Sequence, residues 1–412
     1  MRAAPHATPT GPIVWDNEPQ GDLARDSREL DESAVPRKTS VWSSPPSILF
    51  VSWRDLANPL AGGSELLIHQ LASGLAERGY DVSLLCGGPI EPKALYRVQN
   101  SGGQYSQYVR APLQYMRAFR KTDLVVEVCN GMPFLAPLWR RKATLALVNH
   151  VHTEQWAARF NRLVAAFGRK VECEVMPRIH RNNLIVTVSE SSRSSLLDIG
   201  VKEEQIRVIP EGVAEPPPLC EKSSTPHFIA VGRLVGYKRY DLLLEMWESV
   251  RHQTGGKLTI VGDGPARPRL EGMHVEGVDF TGYVSEAEKH RLMCEAWLLV
   301  HSASWEGWGL VITEAAARGT PAVGFDVPGV HDAIVDFETG LLANDPQSFK
   351  RYWIKLAHDA LLRNQFREAA MKRSLGTPWE STVDAFEQIA AEAVSRSRTR
   401  SWMRGRRVKQ WV

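Results

Sequence analysis

The 412-residue chain lacks several features that would have decided its class at once. Its five cysteines, Cys86, Cys129, Cys173, Cys220 and Cys294, are scattered, odd in number and free of any Cys-x-x-Cys pair. That spacing supplies neither a disulfide framework nor a zinc knuckle, and it fits a reducing compartment. No apolar run approaches the roughly 18 residues of a membrane span. The opening Met1-Arg-Ala-Ala-Pro-His6 has no apolar core of the kind a secretion signal needs. The chain is therefore expected in the cytoplasm, at most peripheral to the inner face of a membrane. No Asp-x-Asp occurs in a loop suited to a divalent metal. An excess of one charge is missing as well: 50 basic residues face 47 acidic ones, a net +3 that does not point to a nucleic-acid partner.

What is present is enough apolar residue, 43% of 412, for two cores. Residues 1–46 carry no apolar periodicity and read as a disordered extension. Apolar runs at Ile48–Val51, Asp81–Leu85, Leu124–Val128, Leu145–Val148, Ile185–Val188 and Ile206–Ile209 read as strands of a first domain, 47–212. Leu67, Leu71 and Leu75 recur along one face of a helix over Ser64–Arg78, which Gly79 ends. Pro216-Pro-Pro218 and Ser223-Ser-Thr-Pro226 have linker composition and mark a hinge. A second domain, 213–378, opens with His227–Val231 and a helix through Gln253, and continues with strands at Leu258–Val261 and Ala322–Phe325. Val330–Asp336 and Ser348–Leu362 look helical. Trp379–Val394 is a long helix, and the basic tail 395–412, with Trp402 and Trp411, reads as disordered or as binding anionic lipid. Alternating β and α segments imply an α/β fold with parallel sheets.

The stretch from Trp297 to Phe325 passes from a short buried strand through a Gly-rich loop into a helix over Gly309–Arg318. Loops at the carboxyl ends of parallel strands line the ligand crevice, and the free amides of Leu310 and Val311 at a helix start suit a phosphate. Glu306 and Glu314 fall at two levels of that pocket. Gly62-Gly63 opens another helix; alone it reads as a flexible turn. Arg233 and Lys238 follow a strand end. His150 and His152 share a face if the strand continues, either as satisfied polar residues or as a metal pair with Glu154. Between Arg159 and Arg181 cations interleave with Leu163, Val164, Phe167 and Val175. Such a helix can lie on an anionic membrane, although a solvated face is the commoner outcome.

Glu306-Gly-Trp-Gly-Leu-Val-Ile-Thr-Glu314 followed by Ala-Ala-Ala-Arg-Gly-Thr-Pro321 resembles the Glu-x7-Glu signature of family-4 retaining glycosyltransferases. Asp55–Glu65 resembles that family's first glycine loop and Gly232-Arg-Leu-x-x-x-Lys238 its diphosphate clamp. The resemblance covers about residues 47–394. It implies the GT-B fold, two Rossmann-like doubly wound domains facing across a cleft, with the helix 379–394 crossing back to the first domain.

The resemblance further implies a nucleotide diphosphosugar donor, UDP- or GDP-linked, and a hydroxyl acceptor, with neither cofactor nor metal. The family has a His that reaches the transferred sugar, here His152 or His150, with His152 slightly favoured. Glu306 would hold sugar hydroxyls and Glu314 the ribose. Gly62, Gly63, Arg233, Lys238, Gly307, Trp308, Gly309, Leu310 and Val311 would line the phosphates. Gly282, Tyr283 and Val284, in a loop where Ser285 and Glu288 form a capping-box pattern, would meet the base. One departure is Glu211, which stands where relatives usually have Asn. Two rivals remain open: a catalytically silent nucleotide-sugar binder, and a phosphorylase dependent on pyridoxal phosphate, for which no convincing cofactor lysine is evident.

Overall fold

The computed structural model describes residues 45–153, 155–216 and 218–409. Most of the extension 1–46, the acid Glu154 and the end of the basic tail, 410–412, lie outside the described residues.

The first sheet is seven-stranded and parallel, in the order β3-β2-β1-β4-β5-β6-β7. Its strands are β1 (Ser47–Val51), β2 (Asp81–Cys86), β3 (Arg97–Asn100), β4 (Leu124–Val128), β5 (Ala143–Leu147), β6 (Leu184–Thr187) and β7 (Ile206–Val208). The helices between them are α1 (Gly63–Glu77), α2 (Gln107–Gln114), α3 (Ala136–Trp139), α4 (Gln155–Arg159), α5 (Arg162–Lys170), α6 (Met176–Ile179) and α7 (Glu190–Asp198). Ile48 and Phe50 point to one face, packed by α1, while Leu49 and Val51 point to the other, where Ala111 of α2 closes over them. That alternation follows from the two-residue period of a strand covered on both faces.

The second sheet is also parallel, six strands in the order β10-β9-β8-β11-β12-β13. It comprises β8 (His227–Val231), β9 (Lys257–Val261), β10 (Val278–Gly282), β11 (Leu298–His301), β12 (Ala322–Phe325) and β13 (Gly340–Ala343). Its helices are α8 (Tyr240–Thr254), α9 (Arg267–Glu271), α10 (Glu286–Glu295), α11 (Leu310–Ala317), α12 (Val330–Ala333), α13 (Pro346–His358) and α14 (Ala360–Leu375). Phe228, Trp247, Phe349 and Trp353 form its aromatic core, with Trp247 stacked on Trp353 at 5.5 Å. Each such fully buried side chain contributes roughly 1.5–3 kcal/mol.

The last helix, α15 (Trp379–Lys409), returns to the first sheet. Phe386 stacks on Phe50 at 5.8 Å, and Arg78 pairs with Asp384 at 2.7 Å. A side chain at Gly74 would meet Val383 at 2.8 Å, so that glycine permits close helix packing. This helix runs on past Val394 to Lys409, where the sequence reading expects a disordered tail. No proline or glycine stop separates the two, and Arg207 and Arg396 both pair with Glu392. The segment expected as one helix over Ser348–Leu362 is two, because Asp359 leaves helical geometry and its side chain accepts from Leu362 N–H at 2.9 Å. The basic stretch 159–181 is helical from Arg162, continuing through a π-turn (Val171–Val175) into α6.

Candidate active site

Strand order reverses between β1 and β4 in one sheet and between β8 and β11 in the other. Side chains beyond the carboxyl ends of such strands converge on one crevice. The loops after β1 and β5 here meet those after β8 and β11.

The turn after β11 is fixed by backbone contacts. Ser304 N–H donates to Tyr237 O and Glu306 N–H to Pro328 O, both at 2.9 Å. Gly329, at φ +80°, lies so near Glu306 O that a Cβ there would stand 2.4 Å away. The Lys238 ammonium, carried on a single 3-10 turn (Gly236–Lys238), bonds Glu306 Oε1, which also accepts from His301 Nε2 at 3.0 Å. Burial alone would raise the Glu306 carboxyl, but Lys238 and His301 outweigh it and hold it down at about 2. Burial pushes His301 below its usual range, so the ring is neutral and Nε2 is assigned as the donor. The resemblance assigns Lys238 to the phosphates; the structure gives part of its charge to Glu306 and leaves its remaining N–H donors for the crevice.

Arg233 reaches across the cleft. Its Nη1 donates to Leu60 O at 3.2 Å, and its guanidinium lies 3.8–3.9 Å from the position of a Cβ on Gly62. Glycine at 62 therefore brings helix start and cation together. Both Gly62 and Gly63 amides are expected to be free for a phosphate, but Gly62 N–H donates to Glu65 Oε2 at 2.8 Å. Glu65 also accepts from Trp53 Nε1 at 3.0 Å and from Arg54 Nε at 2.9 Å. A buried acid thus occupies the first amide, and the helix start continues with Gly63 and Ser64.

On the first-domain side, His150 and His152 lie 4.0 Å apart, and His150 packs 4.6 Å from Trp305, itself stacked on Tyr237 at 4.2 Å. Glu172 separates the two histidines chemically. Its Oε1 meets His152 Nδ1 at 2.9 Å and its Oε2 accepts from Trp156 Nε1 at 2.6 Å. A carboxylate on Nδ1 fixes the tautomer and turns the lone pair at Nε2 outward. The metal reading of this pair needs Glu154, which is outside the described residues, and Nδ1 of His152 is already taken.

Gly307, Trp308 and Gly309 complete the turn. A side chain at Gly307 would stand 3.2 Å from Asn149 O of the opposite domain, and Trp308 packs against the first domain's core. Gly309, at φ +91°, precedes α11, leaving Leu310 and Val311 at its amide end. One turn on, buried Glu314 meets Lys289 Nζ at 3.2 Å, a partner that the sequence does not disclose. Gly282, at φ +71°, ends β10 and Val284 lies just beyond it, on the other side of β9 from β8. Tyr283 is half exposed, and its hydroxyl donates to Pro59 O at 3.5 Å. Ser285 caps α10 by accepting from Glu288 N–H at 3.2 Å, but the Glu288 carboxylate turns to Arg291 instead of closing the box.

Sequence reasoning also misses the environment of Glu211. Burial, then the charges of Glu306 and Glu314, push its carboxyl up to about 8. A Cβ on Gly63 would lie 3.9 Å from its Oε2, so an acid held neutral faces the α1 amide end. Outside the crevice, Glu127, Cys129 and His180 place three ligand-type atoms within 4.8 Å of one another. The Glu127 oxygens are taken by the Leu135 and Ala136 amides at 2.6 Å each, a structural role.

Comparison with known proteins bears on the family and the fold. The model of the Glycosyltransferase Family 4 domain matches residues 61–215, and that of Glycosyl transferases group 1 matches 215–373. The amylovoran biosynthesis glycosyltransferase AmsD of Erwinia amylovora is 26% identical over 348 residues, 76% of this chain and 92% of that protein. Among solved structures, sucrose-phosphate synthase from Thermosynechococcus elongatus aligns with a TM-score of 0.72 at 19% identity, over 85% of this chain and 99% of that one. Anabaena HepE, solved with UDP and glucose, aligns at 0.67 and 16% identity, over 85% and 100%. Two family models laid end to end along the chain, and two facing Rossmann-like domains, place this protein in the family-4 glycosyltransferases of GT-B fold.

Proposed function

We propose that the chain transfers a hexosyl group from a UDP- or GDP-linked sugar to a hydroxyl acceptor, with retention and without a metal or cofactor. The acceptor is a glycan, a lipid-linked saccharide or a small natural product. Support comes chiefly from Arg233, a second-domain cation whose guanidinium lies against Gly62 and Leu60 of the first domain, beside the Lys238–Glu306 pair.

Breaking the anomeric carbon–phosphate oxygen bond puts negative charge on the diphosphate. Fixed positive groups facing that charge lower the barrier. Arg233, the remaining donors of Lys238 and the amide ends of α1 and α11 supply them. The acceptor oxygen bonds the anomeric carbon on the face the diphosphate leaves, and a departing phosphate oxygen takes its proton. His152, oriented by Glu172, and Glu306 hold the sugar; Glu314 takes the ribose and Gly282–Val284 the base.

A membrane contact belongs to the same reading. On α5, Leu163 is 85% and Phe167 62% exposed, flanked by Arg162, Arg169 and Lys170. An apolar face rimmed by cations suits an anionic bilayer and a lipid-linked acceptor.

The test is incubation with a panel of UDP-, GDP- and dTDP-hexoses and mixed acceptors, with the product anomer read by proton NMR. Retained configuration with a chelator present supports the proposal. Binding with neither transfer nor donor hydrolysis would favour a silent binder, and visible absorbance of a bound pyridoxal group would favour a phosphorylase.

A further inference from the structure

At the opposite end of the second sheet a cavity of about 190 Å³ is lined by Lys222, Ser223, Trp297, Gly319, Arg363 and Arg367, among others. Trp297 and Pro321 precede β11 and β12, whereas the donor groups follow their far ends, so roughly 13 Å of strand separates the two sites.

Three cations line this cavity and no carboxylate does, among the described residues. Two are positioned by the protein. Lys222 Nζ donates to Ala296 O at 2.8 Å and Thr320 Oγ1 at 2.6 Å. Arg363 donates to Leu356 O and Ala357 O and lies 4.3 Å over the Trp297 ring. Arg367 has neither ion pair nor hydrogen bond among the described residues, and a side chain on Gly319 would meet its Nε at 2.7 Å. Asp359, just before α14, caps its amide end through Leu362, and Glu368, the acid on α14 beside Arg367, does not line the cavity. Burial, then Arg367 and Arg363, bring Lys222 down to about 7, against the opposing influence of Cys294 on α10 and Cys220 on the linker. Like charges gathered in a hollow with no counter-charge are what an anion of two charges would neutralise.

We infer that this cavity binds a tetrahedral oxyanion or the phosphate of a phosphomonoester, held by Arg367, Arg363 and Lys222. It would tie the interdomain linker, through Lys222 and Ser223, to α14. The inference stands independently of the transferase reading, because none of these residues belongs to the crevice.

The experiment is calorimetric titration of sodium sulfate, at constant ionic strength, into the full chain carrying Arg233→Ala, which weakens anion binding at the donor site. Sulfate keeps its charge near pH 7, so proton uptake reports the protein. Saturable binding is expected, with net proton uptake at pH 7 because a bound anion favours the charged form of Lys222. Adding Arg367→Gln should weaken it at least tenfold without lowering the anion-free melting temperature, since Arg367 makes no ion pair or hydrogen bond among the described residues and Gln keeps its aliphatic stem against Gly319. Inorganic phosphate and a hexose monophosphate, titrated in parallel, tell a free ion from an ester by which binds tighter. Absence of saturable binding, or equal sulfate affinity with and without Arg367→Gln, would overturn the site and leave Lys222 and Arg363 as caps of helix carboxyl ends.

Discussion

Replacing Glu211 by Gln tests the interior of the crevice without touching any group assigned to the donor. The Glu211 carboxyl is 5% exposed and sits near about 8 because burial, and then Glu306 and Glu314, oppose its ionisation. Its ordinary value is 4.5, so between about 4.5 and about 8 the folded chain holds a proton that the unfolded chain has released. Stability then falls as pH rises through that window and levels off above it. At 1.36 kcal/mol per pH unit the loss is roughly 3–5 kcal/mol. Gln cannot ionise. Glu211→Gln should match the parent near pH 4.5 and exceed it progressively up to pH 8, by about 6–20 °C in melting temperature for a domain of this size. Paired thermal denaturation of the unliganded proteins from pH 4.5 to 9 makes the measurement, and other titrating groups cancel in the difference. A gap that is absent at pH 8, or the same at every pH, would mean that Glu211 is solvated or paired, and the reasoning would fail.

Three further outcomes follow from the same geometry. Glu306→Gln should lower kcat at least 100-fold while the protein still melts cooperatively, because Gln keeps the shape of the turn but not the charge that Lys238 and His301 hold; steady-state kinetics beside calorimetry checks it. Gly329→Ala should destabilise by about 1–3 kcal/mol and depress kcat together, since its Cβ would stand 2.4 Å from Glu306 O at a left-handed φ; a variant with normal Tm and turnover would show that the turn accommodates it. Phe167→Glu should weaken sedimentation with vesicles containing anionic phospholipid several-fold and leave transfer to a soluble acceptor unchanged; undiminished sedimentation would free α5 from the membrane role.

The sequence shows the central strands of both sheets, because strands covered on both faces are continuous apolar runs. It shows the Glu306–Glu314 turn because glycine spacing there is dictated by close backbone approach. Edge strand β3, with Arg97 and Gln99, carries no such run, and α2 contains Pro112, so neither is read. The short run Gly340–Leu342 is read only as a break between two helices, although it belongs to β13. Side-chain partnerships across long separations leave no local trace: Glu172 on His152 and Lys289 on Glu314 emerge only once the chain is folded. The tail 395–409 reads as disordered because its charge hides a helix already started by the apolar face of α15.

The account rests on a diphosphate gripped from both domains. Calorimetric titration of UDP and GDP into the parent and into Arg233→Ala combined with Lys238→Ala tests it directly. One nucleotide should bind the parent with micromolar affinity and the double variant at least 100-fold more weakly, through loss of two charge-assisted contacts. Equal affinity in the two proteins would place the phosphates elsewhere and contradict the account.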